Sequence, residues 1–276
     1  MIDSPNFQSV IAGEPSNRVL FVSGMHRSGT SLVSQWLNQN NLFMGDMLLS
    51  GYSDNKYGHF EDLDFLRLSS NELTKMGLHS TGLILEGDKF KFNHYKIELS
   101  RLINERNHNH EIWGWKEPRF TLFMNDIKEH YIPNLKVVAV FRNPIEVIES
   151  LYKRLRKNKW YYTRNPIKRL AWYIDIDLNR NKWISTFQKT YIEYNKSIID
   201  FQYKNPKDII ITEVNDFIGN ENELVRWLKD NIGLEIKATI KEIYDEDILH
   251  KTSDENKNKV LKEAFDIYKQ LKSLSI

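Results

Sequence analysis

The chain has no cysteine. That excludes disulfide staples, thiolate nucleophiles and cysteine metal sites, and it suits a reducing, cytoplasmic setting. There is no stretch near 20 apolar residues, and the start, MIDSPNFQSVIAGEPSN, has no basic segment followed by an apolar one. A protein that neither spans a membrane nor carries a standard export signal is expected. An excess of one charge is also missing, since 39 basic side chains face 37 acidic ones for a formal net charge of +2. Such a balance gives no global field for nucleic acid or an anionic bilayer, so any anion must be held locally and no nucleic-acid partner is expected. What the chain does have is 276 residues that are 41% apolar and 12% aromatic, enough for one large or two small domains with a buried core.

Residues 1–17, with Pro5, Gly13 and Pro15, read as a flexible arm, and 18–276 as the folded domain. RVLFVSG is a short apolar run typical of a strand buried on both faces, and TSLVSQWLNQ after it has helical spacing at Leu32, Trp36 and Leu37. A loop rich in Gly, Ser, Asp and Asn follows, GDMLLSGYSDNKYGHF, and then a helical insertion around 60–110 made of EDLDFLRLSSNELTKM and roughly Asn93 to Asn107. IWGWKEPRF is an apolar and aromatic run that stops at Pro118, and KVVAVF (136–141) is the clearest strand. Asn143, Pro144 and Glu146 announce the next helix as cap, first helical residue and third position. Helix is predicted from Pro166 to Tyr203, strand at DIIIT (208–212), helix at ENELVRWLKDNI, and a terminal helix over Glu255 to Leu274. Buried strands alternating with helices predict a three-layer α/β fold, a parallel sheet with helices on both faces and ligands at the carboxyl ends of the strands.

Between the first strand and helix lies Gly24, Met25, His26, Arg27, Ser28, Gly29, Thr30, Ser31. The two glycines are spaced as in the triphosphate-binding pattern GxxxxGK[ST], but Thr30 stands where that pattern needs lysine. Glycines here let consecutive amide N–H groups and a helix start converge on one anion, with hydroxyls from Thr30 and Ser31. Neither the lysine nor a strand-terminal aspartate for magnesium is present, and Arg27 brings the positive charge. Phosphate binding without a triphosphate and without a metal is the reading. A second anchor is Arg142, at the end of KVVAVF, with Ser150 two helical turns beyond Asn143. A guanidinium and a hydroxyl so placed can share the oxygens of another phosphate.

SGMHRSGTSL and FRNPIEVIES together resemble the two donor motifs of sulfotransferases that use 3′-phosphoadenosine 5′-phosphosulfate (PAPS). WGWKEPRF resembles the WGxKDPR element of bacterial and tyrosine-protein-type members, with Glu117 in place of the usual aspartate. The resemblance covers roughly Arg18 to Ser150 plus IIITEVNDF. It implies a P-loop nucleotide-binding type of fold, PAPS as donor and adenosine 3′,5′-bisphosphate (PAP) as product. It places the 5′-phosphosulfate on the loop from Gly24 to Ser31 and the 3′-phosphate on Arg142 and Ser150. The late RKGxxGxW segment of cytosolic small-molecule members is not found, so the C-terminal part of the donor site is unassigned.

Sulfuryl transfer needs a base for the acceptor proton and a cation for the leaving oxygen. Lys116 is the candidate cation, with Arg27 assisting. Glu61, in a GxFE-like string, is the candidate base, and His59 is its competitor because other branches of the family use histidine. Residues 151–183 carry ten Lys or Arg against two Asp, with Tyr152, Trp160, Tyr161, Tyr162, Trp172, Tyr173 and Trp183 interleaved. They suit an acceptor surface, a donor-phosphate surface or a solvated basic helix with aromatics in the core. A carbohydrate, a lipid-linked sugar, a peptide tyrosine or a small alcohol all remain open as acceptor. Two rival readings are a nucleotide kinase or triphosphatase with a degenerate loop, and a non-catalytic module that binds adenosine bisphosphate.

Overall fold

The computed structural model describes residues 17–50, 58–84, 90–157, 166–242 and 261–276. The expected arm lies outside these except for Asn17, and so do 158–165 of the basic aromatic stretch.

Four strands, β1 (Arg18–Ser23), β2 (Ile112–Lys116), β3 (Lys136–Phe141) and β4 (Ile209–Glu213), form the sheet. Their order is β2-β1-β3-β4 and every pairing is parallel. Among the described residues the helices of seven residues or more are α1 (Thr30–Gln39), α2 (Leu63–Lys75), α3 (Lys96–Asn109), α4 (Met124–His130), α5 (Pro144–Lys157), α6 (Pro166–Leu178), α7 (Arg180–Lys204), α8 (Asn222–Ile232) and α9 (Lys262–Leu274).

Strand side chains alternate between two cores. Leu20, Val22, Val138, Val140 and Ile210 meet Val33, Trp36 and Leu37 of α1 and Leu224 and Leu228 of α8. Val19, Phe21, Val137, Phe141 and Ile211 meet residues of α2, α3, α4, α5, α7 and α9 on the opposite face. The expected three layers are therefore present. Burying a side chain such as Phe21 or Leu20 contributes about 1.5–3 kcal/mol relative to exposure, which is why these strands read as unbroken apolar runs. From β1 the chain crosses to β2 on one side and later to β3 on the other. The carboxyl ends of β1 and β3 thus bracket the crevice where doubly wound sheets bind ligands.

β2 is fixed by its aromatic residues. Trp115 stacks on Phe21 at 4.7 Å and on Phe65 at 4.9 Å, and Trp113 faces the same core. Gly114 faces the other way, where a Cβ would stand 2.6 Å from Leu20 O, and its N–H donates to Phe43 O at 2.8 Å. Lys116 ends the strand beside Val22.

Some boundaries differ from expectation for local reasons. α3 starts at Lys96 rather than Asn93 because the buried Glu72 carboxylate accepts the N–H groups of Asn93, His94 and Tyr95 at 2.6 to 3.1 Å, holding them out of the helix. The helical stretch after Pro166 breaks at Asn179 into α6 and α7. After Pro118 the chain makes a 3₁₀ helix, Pro118–Phe123, and then α4, neither of which periodicity had suggested. α9 begins at Lys262 and buries Ala264, Ile267 and Leu271 along the predicted stripe, while 255–260 lie outside the described residues.

Candidate active site

The loop from Gly24 to Gly29 leaves β1 and turns directly into α1. Gly24 has φ +146°, and a Cβ there would lie 2.3 Å from Val140 O, so the loop backbone rests on β3 and tolerates no side chain. The Gly24 N–H donates to Thr121 Oγ1 at 3.0 Å, and Ser28 N–H closes a turn on Met25 O at 3.2 Å. Arg27 adopts a left-handed φ of 72°, uncommon for a residue with a side chain. The bonding ladder of α1 starts with Leu32 N–H to Gly29 O, which leaves the N–H groups of Thr30 and Ser31 ahead of it, and no acidic residue occupies the first turn. Among the described residues, Ser28 Oγ and His26 Nε2 are buried and have no hydrogen-bond partner. Orphaned donors around a turn with no room for a Cβ fit a ligand rich in oxygen atoms.

Lys116 brings its ammonium to the helix end of this loop. Its Nζ donates to Glu61 Oε1 at 2.8 Å and to His59 O at 3.1 Å, and lies 3.5 Å from Ser31 Oγ. Ser31 Oγ also donates to His59 O at 3.2 Å. The pair is secluded, with side chains 2% and 6% exposed for Lys116 and Glu61. Burial alone would push the Glu61 carboxyl up, but the adjacent Lys116 ammonium, with a smaller contribution from Arg119, outweighs it and holds the pKa at about 2. Of the two candidate bases, Glu61 thus presents its carboxylate to Lys116, and His59 contributes its backbone carbonyl. Phe60 between them has φ 53°, a left-handed kink in the chain that separates the two neighbours.

Behind this pair, Arg119 Nη1 is ion-paired with Glu117 and its Nε donates to Ser80 O at 2.9 Å. Burial raises the pKa of the Glu117 carboxyl. His26 is held well below its ordinary pKa by burial and then by the Arg119 charge, so its ring is neutral at pH 7, with its centroid 6.4 Å from that of Tyr194.

The second anchor is arranged differently from the sequence expectation. Arg142, 6% exposed at the end of β3, donates from Nε to Glu146 Oε2 at 2.5 Å. Ser150 Oγ accepts from Arg27 Nε at 2.8 Å, so the serine of the second motif is joined to the arginine of the first. Asn143 does cap α5, its Oδ1 accepting the Ile145 N–H at 3.0 Å, but Glu146 turns to Arg142. Next to Arg142, Glu213 at the end of β4 accepts from Tyr268 Oη at 2.8 Å and pairs with Lys272 Nζ at 2.5 Å. Sequence reasoning missed this link from α9, along with the Arg119 brace, because each joins residues whose local patterns signal only helix or turn.

A family profile described as Sulfotransferase family matches residues 20–204. The chain belongs to the sulfotransferase family, whose chemistry is sulfuryl transfer to an acceptor. Among solved structures it is similar to the Sulfotransferase Domain from the Curacin Biosynthetic Pathway, at 14% identity and TM-score 0.52 over 93% of this chain and 98% of that one. At that identity the likeness is one of fold. The Sulfotransferase Domain from the Synechococcus PCC 7002 Olefin Synthase aligns at 15% identity and TM-score 0.48, covering 95% and 90%. Sulfotransferase STF9 from Mycobacterium avium aligns at 11% and 0.45, covering 96% and 76%. Comparison with curated protein sequences gives no match. No helix among the described residues is long and apolar enough to cross a membrane.

Proposed function

We propose that this chain moves a sulfuryl group from PAPS to an acceptor hydroxyl or amine by in-line displacement, with 18–276 acting as one catalytic unit. The observation that carries the reading is the buried Lys116–Glu61 pair at 2.8 Å, set against Ser31 at the start of α1. A cation and a carboxylate secluded together beside an anion-binding turn are the two groups this chemistry requires.

In the proposed reaction, the acceptor oxygen forms a bond to sulfur while the bond from sulfur to the bridging 5′-phosphate oxygen breaks. PAP departs with the electron pair. Lys116 neutralises the charge that grows on the bridging oxygen, Arg27 assists on the phosphate and sulfonate oxygens, and the acceptor proton passes to Glu61. The loop residues Gly24, Met25, His26, Ser28, Gly29, Thr30 and Ser31 hold the 5′-phosphosulfate, and Arg142 and Ser150 the 3′-phosphate.

In the free protein the Lys116 ammonium suppresses the basicity of Glu61. A bound donor offers that ammonium a competing anion. As Lys116 turns to it, the buried carboxylate becomes a stronger base, so donor binding prepares proton removal. Glu61 is preferred to His59 because its carboxylate is the group in contact with the cation.

A labelled-sulfate transfer screen over sugars, lipid-linked sugars, phenols, peptides and small alcohols tests the activity and finds the acceptor. Calorimetry with PAP and with magnesium-ATP separates this reading from a triphosphatase. Binding of magnesium-ATP alone would overturn it.

A further inference from the structure

Glu61 does not stand on the sheet. It belongs to a ribbon of two short segments in which 47–49 runs antiparallel to 59–62. The ribbon is closed by His59 N–H to Leu49 O at 3.1 Å, Leu49 N–H to Glu61 O at 2.8 Å and Leu63 N–H to Met47 O at 3.0 Å. A ribbon of two strands is marginal by itself in water, so the position of its residues has to be imposed from outside.

Arg106 of α3 is suited to impose it. The residue is 1% exposed. Its Nη1 is ion-paired with Asp46, which leads into one arm, while Nη2 lies 3.2 Å from Asp62 Oδ2 and 3.1 Å from Asp64 Oδ2 at the end of the other. Asp62 directly follows Glu61, and its second oxygen accepts the Asp64 N–H at 2.9 Å, capping α2. The guanidinium also sits 5.7 Å from the ring centroid of Phe43, the residue whose carbonyl ties the ribbon's root to β2. Glu105 at 3.9 Å is a looser neighbour. One planar fork thus grips both arms and the start of α2, which a lysine's single ammonium cannot do. Without it, three carboxylates drawn together would repel and spread the arms.

We propose that Arg106 is the positioning residue for Glu61, holding the ribbon so that the carboxylate stays opposite Lys116. This rests on Glu61 being the base. Arg106 acts through Asp46 and Asp62, and its effect belongs on the chemical step rather than on donor binding.

The test compares Arg106→Lys, Asp46→Asn and Glu61→Gln with the unaltered full chain, reading kcat by labelled-sulfate transfer and PAP affinity by calorimetry. Asp46→Asn is included because that side chain is 59% exposed and its loss leaves the rest of the Arg106 cluster in place. Misplacement of a reacting group by about 1 Å costs on the order of 100-fold in rate. Arg106→Lys should therefore lower kcat by about 10- to 100-fold and Asp46→Asn by less, both with unchanged PAP affinity. Lower melting temperatures with unaltered kcat in the folded variants would overturn the proposal and leave Arg106 a stabilising residue only. If Arg106→Lys does not fold, the kcat of Asp46→Asn decides. Full activity in Glu61→Gln would remove the base assignment itself, an outcome separable because no Arg106 variant is involved.

Discussion

Replacing Lys116 with methionine keeps most of the side chain's volume and removes its charge, leaving Glu61 buried without the ammonium that contacts it and with Arg119 as a weaker cationic neighbour. The size of the effect follows from the pKa of Glu61, held at about 2 against an ordinary 4.5. A displacement of that size corresponds to about 3 kcal/mol of folded-state stabilisation. It agrees with the roughly 3–5 kcal/mol lost when one partner of a buried ion pair is removed. Because the folded-state pKa is depressed, this stability is present in full above the ordinary carboxylate range and is lost as pH falls toward 2. In Lys116→Met the sign reverses. Burial then raises the Glu61 pKa above its ordinary value, so the contribution of this group grows as the pH is lowered and the carboxyl is protonated. Urea titrations of both proteins at intervals from pH 4 to 8 measure the difference. The variant should lose about 3 kcal/mol near neutrality and recover part of it at acid pH. Combining it with Glu61→Gln should cost less than the sum of the single changes, with a coupling of about 2 kcal/mol. A loss below about 1 kcal/mol with an unchanged pH slope would mean that the pair is solvated in solution, as exposed ion pairs are, and would refute the reasoning.

Glu61→Gln should reduce sulfuryl transfer by about 10²- to 10⁴-fold while PAP affinity is retained, and His59→Gln should not; the reverse result in the same assay would make His59 the base. Arg142→Gln should weaken PAP binding by about 10- to 100-fold in calorimetry, the value of a lost charge-assisted hydrogen bond. Gly24→Ala should abolish donor binding by calorimetry, because its Cβ meets Val140 O at 2.3 Å and forces the loop off β3. Glu72→Ala should destabilise the fold by about 3 kcal/mol in urea titration by stranding the N–H groups ahead of α3.

The strands and the glycine loop, which neighbouring residues encode, were legible before the structure, whereas the short helices after Pro118 were not. RVLFVS, KVVAVF and IIIT are strands because both of their faces are buried, and the glycine loop sits between β1 and α1 as its pattern requires. Arg142 and Ser150 were singled out from their spacing, yet their partners in the fold were not foreseen. Ser150 meets Arg27, 123 residues away along the chain, a contact that depends on β1 and β3 lying side by side. The pairing of Lys116 with Glu61, 55 residues apart, was equally hidden, since each had been chosen from its own string. Arg106 gave no signal at all in a polar helix, where one more arginine reads as a solvated side chain.

The alternation in β2 has a consequence for the fidelity of assembly. Trp113 and Trp115 fill one face of the sheet, and the site of Gly114 on the other admits no side chain at all. A slip of one residue would drive an indole against the Leu20 carbonyl and point Lys116 at the opposite face. The mispaired strand is therefore rejected for steric reasons long before any substrate is present. Trp113 and Trp115, packed in the core, act as a proofreading device for the face on which Lys116 is presented.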